Sequence, residues 1–485
     1  MNTRLLFSYF LFFILSNTQL LSQEQLGLRL DNFSGVNGIL LNPAANLTSP
    51  FRFDVNLVSA DVFVDNNYGH IRNTHLFHFI KNGQDPDNLI DAVYLPNDIR
   101  TRDSWLLFDY FDNEKLKYAS ASVHLMGPSF SIKLNNGYSF SFISALRAAG
   151  STHRVPSNAA FYHIDRIPFE EAIDIAPINA AGMVWSEYGI NFAPAFYTYN
   201  GKLSFGITAK YLTGYEGAFV EIPNTLQITQ FPGDSLLLEN ALINFGFTDS
   251  NTNTDIDPAV RKNGQGFSFD IGAVMTIEGD EDGYIWRLGA SILDIGQINF
   301  SKNTQLHQIN QPTDTLLGIL PIDDYDNDFA DLTDYVSLLS SQTLGDPLAS
   351  RMGDRFSIGL PTALSLQADY QFYPDFYVNA TLVQRLKFNT RAIGRDNILA
   401  VTPRYSSRWI SGSLSLLLRN YQQLRTGFSV RLAWFIIGSD NLGSWIGKST
   451  FTGTDIFFGI KVNPFRTGPW NFSSGRGKGT KCYDF

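Results

Sequence analysis

The residues from Phe51 to Val64 alternate between apolar and polar side chains. One face carries Phe51, Phe53, Val55 and Leu57, and the opposite face carries Arg52, Asp54 and Asn56. A period of two is typical of a β-strand with one apolar and one polar face. After Leu57 the apolar positions move by one residue, to Val58, Ala60, Val62 and Val64, which predicts a β-bulge within this strand.

The same alternation recurs to the end of the chain. It predicts a hairpin from 129–134 to 138–146, and a second hairpin at Asn200-Gly201, a pair that favours a type I′ turn. Further predicted strands are 236–247, 266–277, 284–293, 295–300, 356–372, 376–386, 398–405, 411–418, 427–435 and 455–462. The pattern predicts an all-β protein, a transmembrane antiparallel β-barrel of about 14 strands.

The N-terminus predicts export to the outer membrane. Arg4 precedes an apolar run that ends at Leu15, too short for a membrane-spanning helix, so residues 1–22 are interpreted as a signal peptide cleaved between Ser22 and Gln23. Residues 23–50 are rich in glycine and interrupted by Pro43. Because irregular backbone at membrane depth must lie inside protein, this segment is predicted to plug the lumen.

The barrel is predicted to span residues 51–463, followed by a C-terminal tail at 464–485. Only 17% of the 485 residues are charged, against about 25% in a typical soluble protein. Low charge suits a barrel whose outer band contacts outer-membrane lipid. The net charge of −10 argues against a nucleic-acid partner.

Residues 302–351 are predicted to form a long acidic loop, since no Lys or Arg lies between its two ends. Phe329, Leu332, Val336 and Leu339 recur at helical spacing there, and residues 76–82 are a second short helix candidate. Asp324, Asp326 and Asp328 match the first three ligands of a calcium loop. Phe329 and Tyr335 stand where that loop needs Gly and Glu, so a solvated acidic loop is favoured.

The sequence indicates no catalytic residues, no cofactor and no metal site. His75 and His78 lie close together without a third ligand nearby. Six polar residues are predicted to face the lumen: Arg52, Asp54, Lys133, Lys210, Asp270 and Asp294. They either line a solute path or pair with one another and fill the lumen, and pairing is favoured.

Two sets of motifs resemble known families. The segment Leu41-Asn42-Pro43-Ala44 before the first strand is similar to the "NPA" segment of the FadL-like superfamily, which includes long-chain fatty-acid transporters and PorV-type secretion barrels. An ordered set across the mature chain, including Gly127-Pro128-Ser129-Phe130, Ser291-Ile292-Leu293-Asp294-Ile295-Gly296 and Pro403-Arg404-Tyr405, resembles an uncharacterised family of Bacteroidota outer-membrane barrels with a domain of unknown function. The resemblance implies location and fold, and it places Gly38, Asn42, Pro43 and Ala44 in the plug.

Three functions remain open from the sequence. The first is FadL-like uptake or binding of a hydrophobic or small solute. The second is a non-transporting barrel that binds other envelope proteins in surface export or gliding machinery, and the third is an enzyme at the barrel rim. A continuous lumen or an apolar opening in the wall would favour the first, and a blocked lumen the second.

Overall fold

In a computed structural model the chain forms a closed antiparallel β-barrel. The structure describes residues 24–462 apart from 93–94, 96–101, 135–136, 161–167, 233–234, 250–260, 279–283, 312–314, 319–331 and 447–448. The predicted signal peptide, the tail and the three calcium-loop candidates therefore lie outside the described residues.

The strands include long barrel strands and short strands beyond them. They are β1 Phe53–Asn66, β2 Gly69–Thr74, β3 Leu89–Asp91, β4 Leu106–Tyr110, β5 Lys117–Met126, β6 Ser129–Lys133, β7 Tyr138–Val155, β8 Ala172–Ile175, β9 Ile178–Thr198, β10 Gly201–Ile222, β11 Leu226–Phe231, β12 Ser235–Glu239, β13 Ala241–Thr248, β14 Gly264–Glu278, β15 Tyr284–Phe300, β16 Thr304–Gln311, β17 Thr315–Gly318, β18 Arg351–Gly353, β19 Phe356–Gly359, β20 Ala363–Tyr373, β21 Phe376–Arg385, β22 Ile398–Ser406, β23 Ile410–Arg419, β24 Gln423–Leu432, β25 Phe435–Ser439, β26 Ser449–Phe451 and β27 Gly453–Val462.

The helices are short. The α-helices are α1 Leu26–Arg29, α2 Leu76–Asn82 and α3 Leu332–Leu344, and 3-10 turns occur at Gly35–Leu40, Ala45–Thr48, Pro86–Asn88, Ser157–Ala160 and Leu442–Ser444. None of the helices in the described ranges combines the length and the apolar character needed to cross a membrane. The predicted helices at 76–82 and in the acidic loop are confirmed as α2 and α3.

Fourteen strands close the barrel in the part of the chain that the structure describes. In order they are β1, β5 continued by β6, β7, β9, β10, β14, β15, β20, β21, β22, β23, β24, β25 and β27. Closure follows because β1 pairs with β27 along one edge and with β5 and β6 along the other. A closed sheet leaves no free edge, which is the condition for a β-sheet to cross a lipid bilayer.

The two ends of the barrel differ. At one end, called here the near end, neighbouring strands are joined by short turns such as 199–200, 374–375 and 433–434. At the opposite, far end, most connections are long, although β23 and β24 are joined by residues 420–422 alone. The long connections carry two additional four-stranded sheets, one of β8, β11, β12 and β17 and the other of β2, β3, β4 and β26. Outer-membrane barrels have this asymmetry, with short periplasmic turns and long extracellular loops.

The two faces of the wall differ as the alternation predicts. Ile207 and Ile271 are 45% and 52% exposed on the outside, whereas Thr208 and Asp270, one residue away on the same strands, are buried inside. The two isoleucines are also paired across β10 and β14, so the outer band is continuous from strand to strand. The apolar outer face and polar inner face make this a transmembrane barrel.

The predicted bulge in the first strand is confirmed, since the pairing of β1 with β27 shifts between Asn56 and Val58. Five other predictions were wrong in detail. Residues 236–247 form β12 and β13 beyond the barrel, and 295–300 continue β15. Residues 356–372 are divided between β19 and β20, and 427–435 run through the turn after β24. The second hairpin turns at Tyr199-Asn200, and neither Asn200 nor Gly201 has the positive φ of a type I′ turn.

The outward face of β10 gives a test of membrane position. Replacing Ile207, in the middle of the outer band, with arginine should destabilise the folded protein by about 2 to 4 kcal/mol, because a guanidinium at the bilayer midplane loses its hydration. The equivalent change at Tyr199, which is 97% exposed in a near-end turn, should cost about 0 to 1 kcal/mol. Denaturant unfolding in lipid vesicles measures both free energies, and equal values would contradict the placement of the band.

Candidate functional site

The N-terminal segment, residues 24–52, lies inside the barrel and contacts its inner wall on several sides. Its side chains are almost all buried, and its apolar residues form three clusters with the wall. Leu26, Leu30 and Leu41 pack on β20 to β23; Val36, Ile39 and Leu40 pack on Met126 and Ile143; and Leu28 packs on Ile436 and Phe457. The segment thus supplies the apolar filling of a lumen whose wall is largely polar.

The Asn42-Pro43-Ala44 motif fixes the middle of this segment. The Asn42 amide donates to the carbonyls of Ala273 at 3.1 Å and Ala290 at 3.4 Å and to the Gln367 side chain at 3.1 Å, so it links β14, β15 and β20. Its oxygen accepts the Ala44 backbone N–H at 3.0 Å. On the opposite side, Asn191 donates to the Pro43 carbonyl at 3.0 Å.

Two wall glycines allow the motif to approach. A Cβ at Gly206 would lie 2.3 Å from the Pro43 carbonyl carbon, and a Cβ at Gly272 would lie 2.6 Å from the Asn42 side-chain oxygen. Contacts this short force a displacement, and at Gly206 the obstacle is backbone. The glycines are therefore a steric requirement of the seated segment. Gly38 has a similar role within the segment, where a Cβ would lie 2.6 Å from the Ser34 hydroxyl.

Charged contacts hold the segment near both of its ends. Asp31 accepts hydrogen bonds from Arg431 at 2.6 Å and from the hydroxyls of Ser406 and Ser411. The wall carboxylate of Asp54 accepts the Val36 N–H at 2.8 Å and pairs with Lys461 at 3.2 Å. Lys133 donates to the carbonyl of Ser49.

A second group of charges, called here the central cluster, lies deeper in the lumen. It contains four cations and four carboxylates: Arg29, Arg147, Lys210 and Arg395, with Glu24, Glu187, Asp270 and Asp294. Lys210 lies 2.8 Å from both Asp270 and Asp294, and Arg147 lies 3.0 Å from Asp294. The formal charges balance, as buried ions require.

A β-bulge orients the two aspartates of this cluster. The pairing of β14 with β15 shifts around Asp270, and Asp294 adopts a positive φ of 56°. The Asp294 backbone N–H then donates to Asp270 at 2.7 Å. The bulge turns both carboxylates toward the lumen, and β15 afterwards continues with a new partner, β19.

Arg395 connects the wall to the N-terminal segment. It contacts Asp294 at 3.4 Å through one nitrogen and Glu24 through another, and Glu24 also pairs with Arg29 at 3.2 Å. Burial raises the pKa of Glu24, but Arg395 and Arg29 more than offset this and hold the pKa below its usual value. Glu24 is therefore ionised at neutral pH and remains a partner for both arginines.

A cavity of about 60 Å³ borders the central cluster. Its lining includes Glu24, Arg29, His124, Arg147, Lys210, Asp294 and Arg395. His124 is 5% exposed, and within the described residues its Nδ1 has no hydrogen-bond partner; the same holds for the Nε of Arg29. A water needs about 10 to 15 Å³ of such space, so this cavity has room for several waters or one very small solute.

A smaller cavity of about 20 Å³ lies beside Asn42 and Arg287. Between the two cavities the lumen is filled by the segment itself. In the described part of the chain, the lumen therefore contains small cavities lined by charged or polar side chains, and the N-terminal segment is tightly packed beside them.

Residues 43–440 match the model of a family of unknown function, DUF5723. The chain belongs to this family. The predicted membership of an uncharacterised family is thereby confirmed. No curated protein matches the chain.

Several solved structures are similar to this DUF5723 chain at low identity. The toluene transporter TodX of Pseudomonas putida is 10% identical, with a TM-score of 0.38 over 92% of this chain and 98% of that one. A TodX mutant described as a monoaromatic hydrocarbon channel is also 10% identical, with a TM-score of 0.40 over 88% of this chain and 94% of that one. A FadL homologue of Pseudomonas aeruginosa is 8% identical, with a TM-score of 0.20 over 87% of this chain and 91% of that one. At TM-scores below 0.5 these likenesses say nothing about a solute.

The structure brings most of the predicted lumen residues into contact with the segment or the cluster. Asp54, Lys133, Lys210, Asp270 and Asp294 are all buried with ionic or hydrogen-bond partners, as the preceding contacts show. Arg52 precedes β1 and is only partly buried. His75 and His78 stack at 6.0 Å, and His78 contacts Thr74 and the Asp103 carbonyl.

Sequence reasoning missed five of the eight members of the central cluster. They are Glu24, Arg29, Arg147, Glu187 and Arg395, and Asp31 and Arg431 were not predicted to face the lumen either. Arg147 could have been found, because it lies on the inward-facing parity of β7 opposite His124 of β5. Arg395 lies in the connection between β21 and β22, where no periodicity applies.

Removing the shared carboxylate should expose how much the cluster stabilises the barrel. Asp294→Asn leaves three buried cations with one partner fewer, and losing one member of a buried pair typically costs about 3 to 5 kcal/mol. Asp354→Asn is the matched control, since the Asp354–Arg355 pair is exposed and such pairs contribute about 0 to 1 kcal/mol. Unfolding free energies in vesicles distinguish the two; equal losses would show that the cluster is not a stabilising unit.

Proposed function

We propose that the chain is an outer-membrane channel for a small polar solute, and that residues 24–52 are a plug that closes its lumen. The observation that carries this proposal is the cavity of about 60 Å³ between the plug and the wall, lined by charged side chains. Cleavage near Ser22 would leave the plug at the start of the mature chain, inside the barrel.

The lining favours a polar solute over a hydrophobic one. An apolar molecule in this space would exclude water from the His124 Nδ1 and the Arg29 Nε without offering either a hydrogen bond, and uncompensated burial of polar groups is costly. A solute with both donors and acceptors could bond His124 and the Arg29 Nε. Solutes of a few non-hydrogen atoms, such as short carboxylates or amides, fit both the size and the charge.

Passage of a solute requires the plug to move, and some parts of the plug bond to the barrel wall more directly than others. The Asn42-Pro43-Ala44 motif and Asp31 bond directly to several strands, whereas Glu24 reaches Asp294 only through Arg395. The stretch around Glu24 and Arg29 is also the one that borders the cavity. We infer that a solute entering from the far end meets this stretch first.

A non-transporting barrel that binds other envelope proteins is the second candidate. The observation that favours it is the completeness of the filling, because the plug buries nine apolar side chains, namely Leu26, Leu28, Leu30, Val36, Ile39, Leu40, Leu41, Ala44 and Leu47. Withdrawing each large apolar side chain into water costs about 1.5 to 3 kcal/mol. A permanently seated plug would leave the far-end sheets as the functional surface.

Conductance in planar bilayers separates the two candidates. In Gly206→Ala the new methyl group overlaps the Pro43 backbone, so the plug must shift and the variant should conduct small ions at least tenfold more than the native protein. Gly182→Ala on the neighbouring strand is the matched control, because its Cβ would come no closer than 3.5 Å to any atom.

A deletion of residues 27–46 provides an independent variant of the same experiment. It should raise conductance further, and vesicles containing either variant should become permeable to a short carboxylate or amide. Folded barrels of both variants with native conductance would reject the plug and favour the non-transporting candidate. Permeability to apolar solutes alone would reject the polar assignment while keeping the plug.

A further inference from the structure

The barrel wall is incomplete beside β25. This strand has five residues and pairs with β24 only at 428–432 and with β27 only at 457–460. The far halves of β24 and β27 thus face each other without a strand between them. On its other edge β27 remains paired with β1 as far as Gly453.

Residues 440–446 fill this gap: Asp440 bonds on the lumen side to the Leu26 N–H, and residues 444–446 cover the gap from the outside. The Ser444 hydroxyl lies 3.1 Å from that of Thr454, and the Trp445 indole N–H donates to the Asp455 carbonyl at 3.1 Å. The Trp445 ring also packs edge-on at 5.4 Å against Phe428, an outward-facing residue of β24 between the buried Gly427 and Ser429. Trp445 therefore caps a free strand edge on the lipid side of the wall.

The position of Asp455 places this cap within the membrane. Asp455 precedes the near end of β27 at Val462 by seven residues, which corresponds to a height of roughly 18 Å for a strand tilted by about 40°. The apolar band of such barrels is about 25 Å tall. Trp445 thus lies inside the band near its far boundary, where Trp is enriched in membrane proteins.

Helix α2 continues this surface away from the wall. Its buried side packs Leu76 and Phe79 against Phe451 of the far-end sheet, with Phe79 and Phe451 stacked at 5.4 Å. Its other side places Phe77 edge-on to Trp445 at 6.0 Å. Phe77 is 59% exposed, Ile80 is 53% exposed, and Ile446 beside Trp445 is 68% exposed.

We propose that α2 and residues 442–446 form a membrane foot, which lies in the interfacial region of the far-side leaflet and inserts Phe77, Ile80 and Ile446 among lipid chains. The foot is continuous with the lipid-facing wall, because Phe77 contacts Trp445 and Trp445 contacts Phe428. Because the Trp445 N–H is bonded to the wall, the cap needs no water.

We assign lipid, and not a protein partner, as the molecule that contacts the foot, because Trp445 at the base of the foot lies within the apolar band of the membrane. A protein bound there would have to displace lipid from the wall itself, whereas lipid already surrounds Phe428. Lys81 lies exposed at the end of α2, next to Ile80, where a lysine can extend toward head groups. The proposal depends on the membrane position of the barrel and not on its solute.

Site-specific labelling in vesicles tests the foot. The full chain with Cys482→Ser would carry a single cysteine at position 80 or 446, labelled with an environment-sensitive nitrobenzoxadiazole dye. Ile80→Cys and Ile446→Cys keep the buried contacts of the foot intact. Glu114→Cys, at an exposed position in the far-end connection before β5, is the matched control.

Phosphatidylcholine vesicles containing a lipid spin-labelled near the head group should quench the dye at 80 and 446 at least threefold more than at 114. Quenching equal to that at 114 would overturn the proposal. Protection from aqueous iodide without lipid quenching would also overturn it and indicate contact with a second copy, which cross-linking through the same cysteines would detect. The result does not depend on conductance, so it remains informative if the channel proposal fails.

Discussion

The carboxylate of Asp294 is the interaction on which the interior of this barrel depends. It accepts from Arg147, Lys210 and Arg395, three cations that come from two strands and one connection far apart in the chain. Each of these cations would be strongly unfavourable in the interior alone, since a buried ion is stable only when paired and hydrogen-bonded. The bulge at Asp294 exists at the one place where β15 changes partner, so backbone geometry and charge pairing are fixed together.

The same constraint explains why the N-terminal segment is seated where it is. A wall rich in Ser, Asn, Asp and Arg leaves few apolar surfaces inside, and the segment supplies them through its leucines while also satisfying wall donors with its carbonyls. Lys202 and Lys133, for example, donate to the carbonyls of Leu47 and Ser49. The segment contains only short helical turns, at Leu26–Arg29, Gly35–Leu40 and Ala45–Thr48, and several of its backbone groups therefore remain available to bond to the wall.

The sequence was a good guide to the wall and a poor guide to the interior. The alternation around Ile207 and Thr208 predicted which residues face lipid, because a shift of one residue would turn every apolar side chain of the strand toward the lumen. The strand count was right although 236–247 was wrongly included and β25 was overlooked. β25 is too short to show alternation. Residues 236–247 form strands beyond the barrel, β12 in a far-end sheet and β13 against β10 and β16, and their apolar side chains contribute to a separate core.

For the site, sequence reasoning found Lys210, Asp270 and Asp294 in strands and Asn42 in a motif. It missed Arg147 and Glu187, which lie in strands, and the residues outside strands that belong to no motif. Asp270 and Asp294 stood out as charges in apolar strands, and Asn42 stood out through its motif. Glu24, Asp31 and Arg395 carry no such signal, because pairing between the N-terminal segment and distant parts of the barrel depends on its three-dimensional closure. The same holds for Trp445, whose position on the outside of the wall follows only from the early end of β25. In both places a segment without periodicity supplies what the strands lack locally: apolar surface inside the lumen, and a partner for an unpaired strand edge on the outside.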